Sequence, residues 1–472
     1  MVKKKDSEKA VCRIGRRYGF LSRTRNMTRG PILTQVIGFS LPLMLGNAFQ
    51  MLYNTVDSIV VGNFVGKEAL AAVGSTTMIT NMFVFFFNGF SVGAGVLIAQ
   101  YFGAQEEEKL HDAIGTTMAL TFLLSVIFTI VGVLGVKPML VFMSTPDDVF
   151  SDATVYLTIY LAGISGLLIY NMGSGILRAV GDTVRPLLFL ILTTFINIFL
   201  DLLFVVGFHM GVAGVAWATV ISQMISAVLI LLLLTTTGEI YRLSRRDLRI
   251  DPHITVRIFS IGMPAAIQSV ITSFSNVFVQ SYVNHFGSSV MAGWSCYNKL
   301  DQFIMLPIQS MAMAATTFVS QNIGAGDYER ADRGTSTTVV LAVSVTGAIA
   351  ALLYLFAAPA TGLFTRDRSV IDAGVLFLRT NVFFLMCNTV NHVLAGALRG
   401  RGDARGPMII MLTCFVAVRQ TYLFLVTRYV ANIPILVGLG YPVGWTACCI
   451  TEVTYWLIRR RSWKRKNTEV PL

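Results

Sequence analysis

Long apolar segments alternate with short polar ones along almost the whole chain. Runs such as 113–136 and 214–234 have the roughly 20 apolar residues that an α-helix needs to cross a bilayer. Because a soluble core cannot accommodate so many runs of this length, the pattern predicts an all-α polytopic membrane protein. Twelve membrane-spanning helices are expected, at residues 36–62, 70–100, 113–136, 153–177, 187–207, 212–234, 256–283, 290–320, 337–362, 374–398, 407–429 and 436–458.

The composition agrees with this pattern. Only 13% of the 472 residues are charged, against about 25% in soluble proteins, and the mean hydropathy is +0.66. The six cysteines contain no CxxC motif and the five histidines no HExxH motif, so neither a disulfide framework nor a zinc site is expected. The basic N-terminus lacks the short apolar core of a signal peptide, and about its first 25 residues are expected to form a disordered tail.

The positive charges are distributed unequally between the two sides of the predicted bundle. Of the 37 Lys and Arg residues, 29 lie on the side of the two termini or at helix ends there, six lie on the other side or at helix ends there, and the remaining two, Lys299 and Arg419, lie further inside spans. This bias predicts cytoplasmic termini in the cytoplasmic (inner or plasma) membrane. A basic face beside anionic lipid also explains the net charge of +12, so no nucleic-acid partner is expected.

The chain contains an internal duplication. "LRAVGDTVRP" (177–186) recurs as "LRGRGDARGP" (398–407), and "QYFGA" (100–104) recurs as "QNIGA" (321–325), both at an offset of 221 residues. Each copy holds six spans, so two lobes of equal topology are expected, related by a pseudo-twofold axis along the membrane normal, with a pathway between them. The repeated Gly-Asp pairs suit tight turns, which is favoured over a substrate contact.

The predicted organisation follows from this duplication. It comprises a basic cytoplasmic tail (1–30), an N-lobe with six spans (31–235), a basic cytoplasmic linker (236–257), a C-lobe with six spans (258–458) and a basic cytoplasmic tail (459–472).

A group of polar residues interrupts the apolar spans of the N-lobe. In "FINIFLDLLF" (195–204), Asn197 and Asp201 are four residues apart and share one helix face. Asp57 in the first span and Thr219 in the sixth are expected at a similar depth. A charge at mid-bilayer costs at least ~2.5 kcal/mol, so such residues are usually functional and paired. These four polar side chains suit Na⁺, or a proton shared by two close carboxylates. Alternatively, Asn197 and Thr219 form hydrogen bonds that hold neighbouring helices together.

The second copy lacks this group. The repeat places Val418 and Tyr422 where the first copy has the amide and the acid, with Arg419 beside them. The coupling site is therefore predicted in the N-lobe alone. The polar segment "YNKLDQF" (297–303) of the C-lobe leaves two interpretations open: Lys299 and Asp301 either form a structural pair or line a cavity.

These residues resemble the multidrug and toxic compound extrusion (MATE) transporters. The similarity covers nearly the whole chain after about Gly30 and rests on the two six-span lobes, "NTVDSIVVGNFVG" (54–66) and the paired QxxGA and LRxxGD motifs. The resemblance implies cation-driven efflux through a V-shaped cavity between the lobes. It implies that Pro42 matches a proline whose bending is tied to protonation, and that the N-lobe cation site matches Asp57, Asn197, Asp201 and Thr219.

The chain departs from some members of that family. Its seventh span has no acid, and the tenth offers Asn388 near the expected place, so a C-lobe cation site is not expected. The pattern resembles the bacterial branch that has the N-lobe site alone. Candidate cavity-lining residues are Asn54, Tyr297, Lys299, Asp301 and Asn388.

The predicted function is that of a secondary active antiporter, acting as a monomer. It would export organic, cationic or amphipathic small molecules in exchange for H⁺ or Na⁺, with no cofactor; if the ion is Na⁺, the four N-lobe residues are its ligands. The alternative is a lipid-linked precursor flippase, whose cavity should contain several buried basic residues. A membrane-embedded enzyme is disfavoured by the lack of a nucleophile and base pair, and an ATP-driven pump by the lack of GxxxxGK[ST].

Overall fold

The computed structural model describes residues 25–468, and within this range the chain is helical with no strand. All twelve predicted spans are confirmed as helices long and apolar enough to cross a membrane, one of them as a bent pair. They are α1 (Ile32–Val65), α2 (Ala69–Ala104), α3 (Glu107–Phe142), α4 (Asp147–Ala162 and Ile164–Ala179), α5 (Val184–Gly207), α6 (Gly211–Thr236), α7 (Pro252–Asn284), α8 (Ser288–Gly324), α9 (Tyr328–Leu355), α10 (Arg368–Gly400), α11 (Arg405–Tyr429) and α12 (Pro434–Trp463).

Three local features differ from uninterrupted spans. The fourth span bends by 47° at Gly163, between two helices, and the side chain of Val220 from α6 packs against that glycine. At the repeat-related place in α10, a 3₁₀ turn, Val382–Phe384, separates two helical halves. The ninth span ends earlier than predicted, at Leu355, and a separate short helix, Ala357–Gly362, follows it.

The repeated Gly-Asp pairs form the same turn in both lobes. Gly181 and Gly402 adopt φ angles of +85° and +86°, which glycine reaches without steric cost. The amide of Asp182 donates to the carbonyl of Leu177 at 2.8 Å, and that of Asp403 donates to the carbonyl of Leu398 at 3.0 Å. These bonds cap the preceding helix as in a Schellman motif. The repeated Gly-Asp pair therefore forms a turn, as its composition favoured.

The helix ends that carry most of the basic residues meet at one end of the bundle, which we call the basic face. It contains residues 25–31, the turns after α2, α4, α8 and α10, and the segment between α6 and α7. Inter-lobe contacts extend from this face toward mid-depth. Gly89 of α2 packs against the backbone of Ala266 in α7, and Asn47 of α1 donates to Ser310 of α8 at 3.4 Å.

Beyond these contacts, the opposite halves of α2 and α7 expose large side chains. Met82 is 60% exposed and Phe274 is 54% exposed. On the basic side, glycines of α2 contact the backbone of α7 in the described residues. Toward the opposite side, both helices carry large exposed side chains. The lobes are therefore closed at the basic face.

The segment between the lobes is ordered against the N-lobe. It runs over residues 237–251, shorter than the predicted 236–257, because Asp251 caps α7 by accepting from the amides of His253 and Ile254. Tyr241 is fully buried, and its hydroxyl accepts from Arg185 at 2.9 Å. Burial raises the pKa of Tyr241, so the phenol keeps its proton there.

The two predicted tails are only partly within the described residues. Residues 1–24, which include nearly all of the expected disordered tail, lie outside them. At the other end, helical conformation continues to Thr468. The guanidinium of Arg460 contacts Asp332 at 2.8 Å, and that of Arg459 contacts Asp403 at 2.9 Å. Opposite charges thereby fasten the end of α12 to the C-lobe.

Candidate cation site

The four residues predicted to bind a cation lie together inside the N-lobe, on α1, α5 and α6. All four are buried: Asp57 is 8% exposed, Asn197 0%, Asp201 0% and Thr219 3%. Asn197 and Asp201 lie one turn apart on the buried face of α5, whereas their neighbours Phe195 and Phe199 point outward. The amphipathic pattern of α5 therefore turns both polar side chains toward α1 and α6.

One amide bridges the two carboxyl groups. With the side-chain nitrogen of Asn197 turned toward the acids, it donates to Asp57 Oδ1 at 3.0 Å and to Asp201 Oδ2 at 3.2 Å. This orientation is assigned from the available partners, since oxygen and nitrogen of an amide are distinguished by their hydrogen bonds. The carboxyl groups are also close enough to interact with each other. The two acids thus share the amide of Asn197 as a neutral donor.

The remaining polar atoms of the site fit a cation or a proton. Oδ1 of Asp201 is buried without a hydrogen-bond partner in the described part of the chain. Thr219 lies beside Asp57. Carboxylate and hydroxyl oxygens are ligands for hard cations, and buried acceptors without donors are costly. The donor set is therefore chemically suited to Na⁺ or to protonation of a carboxyl group.

Two tyrosines, which were not predicted from the sequence, complete the site. Tyr53 interacts with Asp57 and Thr219, and Tyr156 of α4 interacts with both acids. Tyr53 precedes Asp57 by four residues on α1, a spacing that puts both on one helix face and could have revealed it. No comparable signal existed for Tyr156, because its position depends on how α4 packs in the lobe.

Helix irregularities follow both acids. A π-helical segment, Val61–Val65, begins four residues after Asp57, and a second, Leu203–Gly207, begins two residues after Asp201. π-Helical turns widen a helix by one residue and occur frequently at functional sites. The two segments contact each other, so both acid-bearing helices leave regular geometry at the same end of the site.

Pro42 lies on α1, about four turns before Asp57. The helix runs through it without interruption from Ile32 to Val60. A proline inside a helix removes one backbone hydrogen bond and weakens the helix locally. Its predicted bending role is compatible with this position and stays a prediction.

The candidate cavity residues occupy different environments. Asn54 and Lys299 are exposed, whereas Tyr297 and Asn388 are buried within the C-lobe. Tyr297 packs against Trp294, with ring centroids 5.1 Å apart, and the amide of Asn388 lies 3.9 Å from the sulfur of Met305. That these residues line a cavity stays a prediction. In this conformation Tyr297 and Asn388 are buried within the C-lobe and do not face a cavity between the lobes.

Lys299 and Asp301 do not form an ion pair. Lys299 Nζ lies 5.4 Å from the ring centroid of Phe364, and the ion pairs of the described residues do not include Asp301. Residues two apart on a helix point in different directions, which is why the structural-pair interpretation does not hold.

The region of the C-lobe that is related by the repeat to the cation site lacks the amide and the acid and contains a buried arginine and a tyrosine instead. Arg419 is buried, donates to Ser275 Oγ at 2.6 Å and lies 4.8 Å from the ring centroid of Tyr441. The hydroxyl of Tyr422, which takes the place of Asp201, donates to the carbonyl of Leu436 at 3.1 Å. A buried guanidinium in this position is unfavourable for cation binding. In the described residues, no group of three or more His, Cys, Asp or Glu side chains is arranged for a metal ion.

Comparisons with known proteins point to one family. A family model described as MatE matches residues 42–203 and 264–420. The chain is similar to the "Probable multidrug resistance protein YoeA" of Bacillus subtilis (strain 168), with 27% identity, covering 91% of this chain and 94% of that protein. It is also similar to the "Probable multidrug resistance protein NorM" of Thermotoga maritima, with 26% identity over 84% of this chain and 86% of that protein.

Solved structures share the fold. One is described as "Crystal structure of MATE in the bent conformation", with a TM-score of 0.90, 24% identity and coverage of 95% of this chain and 99% of that one. Another is described as "Outward-facing conformation of a multidrug resistance MATE family transporter of the MOP superfamily", with a TM-score of 0.88, 24% identity and coverage of 94% and 99%. Both have the two-lobe helical architecture found here.

Proposed function

Because the chain belongs to the MatE family, we propose that it is an antiporter that exports organic, cationic or amphipathic compounds in exchange for H⁺ or Na⁺. Members of this family are secondary transporters, and the chain is a multi-pass membrane protein rather than an enzyme. The names of its relatives, which refer to multidrug resistance, support efflux of small molecules. The coupling ion would bind at Asp57, Asn197, Asp201 and Thr219.

The observation that carries the proposal is the buried pair of acids joined by one amide. Two carboxylates away from water repel each other and are poorly solvated, so the pair gains stability when a cation arrives. With its nitrogen turned toward the acids, Asn197 donates to both carboxyl groups, and with its oxygen turned toward them it offers Na⁺ a further oxygen ligand. The site is therefore suited to either H⁺ or Na⁺ as the ion.

Helix α1 offers a route from the ion to the substrate pathway. It carries Asp57 near one end and Pro42 further toward the basic face, where it packs on α8 of the opposite lobe. An ion can drive transport only if it favours one conformation of the protein over another. In the proposed mechanism, neutralisation of the acids lets α1 bend at Pro42 and reduces the space beside the N-lobe, so that substrate leaves. Moving one charge inward supplies about 2.3 kcal/mol per 100 mV of membrane potential.

The orientation is part of the proposal. The distribution of Lys and Arg favours a cytoplasmic location for the basic face and both termini, in the plasma membrane. The closed basic face would then make this an outward-facing conformation, with the exposed halves of α2 and α7 beside an outward cleft. We propose that one chain is the functional unit, since each lobe contributes to the same cleft.

The lipid-linked precursor flippase is less well supported. A pathway for a pyrophosphate would need several basic side chains along the cleft. Arg419 is buried inside the C-lobe against Ser275 and Tyr441 instead.

Transport by the purified protein in liposomes tests the proposal. Efflux of ethidium, a fluorescent organic cation, would be measured with a proton gradient or a sodium gradient imposed separately. We expect one of the two gradients to drive ethidium movement and the other to have little effect. Transport that is independent of both gradients would contradict an antiport mechanism.

A further inference from the structure

Two glutamines, related by the repeat, join the lobes at the basic face. Gln100 Nε2 of α2 donates to the carbonyl of Gly400 at 3.0 Å, and Gln321 Nε2 of α8 donates to the carbonyl of Ala179 at 2.8 Å. Ala179 and Gly400 are themselves 221 residues apart, so the two bonds are equivalents across the pseudo-twofold axis. Both bonds must break when the lobes separate at this face.

The backbones approach each other most closely next to these bonds. A Cβ atom on Gly103 would collide with the carbonyl of Gln321, and one on Gly324 would collide with the carbonyl of Gln100. Closure of the basic face therefore depends on two glycines as well as two glutamines. Up to this point the contact is symmetric between the lobes.

A short N-terminal segment breaks this symmetry. The amide of Met27 donates to Gln321 Oε1 at 2.9 Å, whereas the described structure has no such bond to Gln100. The side chain of Met27 is fully buried and packs with Phe39 of α1 and Phe318 of α8. Gln321 is thus held from the N-lobe through Ala179 and from the N-terminus through Met27.

Residues 25–30, which we call the N-terminal strap, contact both lobes. Arg330 of α9 donates to the carbonyl of Met27 at 3.2 Å and to the carbonyl of Gly30 at 2.8 Å. Asn322 donates to the carbonyl of Met27 at 3.3 Å. On the N-lobe, the carbonyl of Arg25 lies against Gly181. The strap therefore crosses the line along which the lobes would part.

We propose that the N-terminal strap locks the basic face in its closed state and must detach from Gln321 and Arg330 before that face opens. The closed state alone has all of the strap's contacts, so they bias the equilibrium toward closure. Loss of one hydrogen bond between neutral groups should shift this equilibrium by about fivefold, and loss of the Arg330 bonds by about tenfold or more. The inference rests on the proposed function in assuming that the basic face opens during transport.

The test measures opening directly, without substrate or ion gradient. Thr317 is buried on α8 beside a small inter-lobe cavity of about 20 Å³ that Arg178 also lines. In the full-length protein, Thr317→Cys would be alkylated with a maleimide, and the labelled peptide would be identified by mass spectrometry to separate it from native cysteines. The rate of labelling reports how often the basic face opens.

Substitution of the two repeat-related glutamines provides a matched comparison. Gln100→Ala removes one inter-lobe bond and should raise the labelling rate about fivefold, whereas Gln321→Ala also removes the bond from Met27 and should raise it about 25-fold. Equal effects of both substitutions would overturn the role of the strap. The labelling of Thr317→Cys requires neither the ion nor a substrate. Failure to detect antiport would therefore leave the labelling rates unaffected, and equal labelling rates would leave the antiport experiment unaffected.

A second comparison uses two arginines on α9. Arg330→Met should raise the labelling rate about tenfold or more, while Arg333→Met should not change it, since Arg333 contacts only the exposed Glu329 at 2.8 Å in the described structure. If the glutamine variants fail to fold, Arg330→Met and Met27→Ser still decide the question. Labelling at the wild-type rate in both of these folded variants would refute the lock.

Discussion

The replacement Asp201→Asn separates a coupling role from a structural one. The new amide has nearly the same size and keeps an oxygen that can accept the 3.2 Å bond from Asn197. It removes one of two close negative charges, which relieves repulsion within the site. The fold should therefore persist with an unchanged or higher Tm, while the site loses one of its two anionic groups.

The expected loss of function can be scaled from the contact that disappears. An interaction with a charged group contributes about 1.5–3 kcal/mol, and each 1.4 kcal/mol is about a factor of ten in affinity. Cation affinity should therefore fall about 10- to 150-fold, and ethidium efflux driven by the ion gradient should fall below detection at gradients that drive the wild type.

Tyr422→Phe is the matched control, because Tyr422 occupies the repeat-related position of the C-lobe. It removes a hydroxyl that donates to the carbonyl of Leu436 at 3.1 Å, a loss of about 1 kcal/mol. Its Tm should decrease by about 1–2 °C, and gradient-driven efflux should remain. Wild-type efflux by Asp201→Asn, or an equal loss in both variants, would refute confinement of the site to the N-lobe. A large fall in the Tm of Asp201→Asn would instead indicate a structural carboxyl group.

Three further perturbations test other parts of the account. Asp57→Asn should keep the fold and ethidium binding but lose the response to the gradient; wild-type gradient response on the same preparation would exclude Asp57 from coupling. Asp147→Cys should react with an impermeant maleimide from outside intact cells, and Ser244→Cys only after permeabilisation; the opposite pattern would reverse the topology. Gly402→Ala should lower the free energy of unfolding by about 1–2 kcal/mol because its φ is +86°, whereas Gly74→Ala, which meets open space inside α2, should not lower it; equal melting temperatures would contradict the turn assignment.

Hydropathy and repetition in the sequence determined the helical architecture. Each membrane span requires a continuous apolar run, because a backbone in lipid must satisfy its own hydrogen bonds. The fold of a span is therefore encoded locally and can be read without knowledge of its neighbours. The same is true of the turns at Gly181 and Gly402, where a glycine supplies a left-handed conformation within a few residues.

The candidate cation site was predictable in its acids and only partly in its surroundings. A carboxyl group inside an apolar span is rare enough to mark Asp57 and Asp201. The sequence could not specify that the nitrogen of Asn197 faces both of them, nor that Tyr156 lies alongside. Those facts depend on the rotation and depth of three neighbouring helices, which no local pattern reports.

The tertiary structure alone decided how the two lobes meet. The sequence repeated QxxGA, but it did not reveal that Gln100 and Gln321 each bond to the opposite lobe, or that Met27 joins Gln321 alone. For Lys299 and Asp301, closeness in sequence suggested an ion pair, but residues two apart on a helix point in different directions. Hydropathy determines which segments enter the membrane because it acts on each segment independently. Contacts between segments depend on side-chain packing across distant parts of the chain, and so they become visible only in the folded protein.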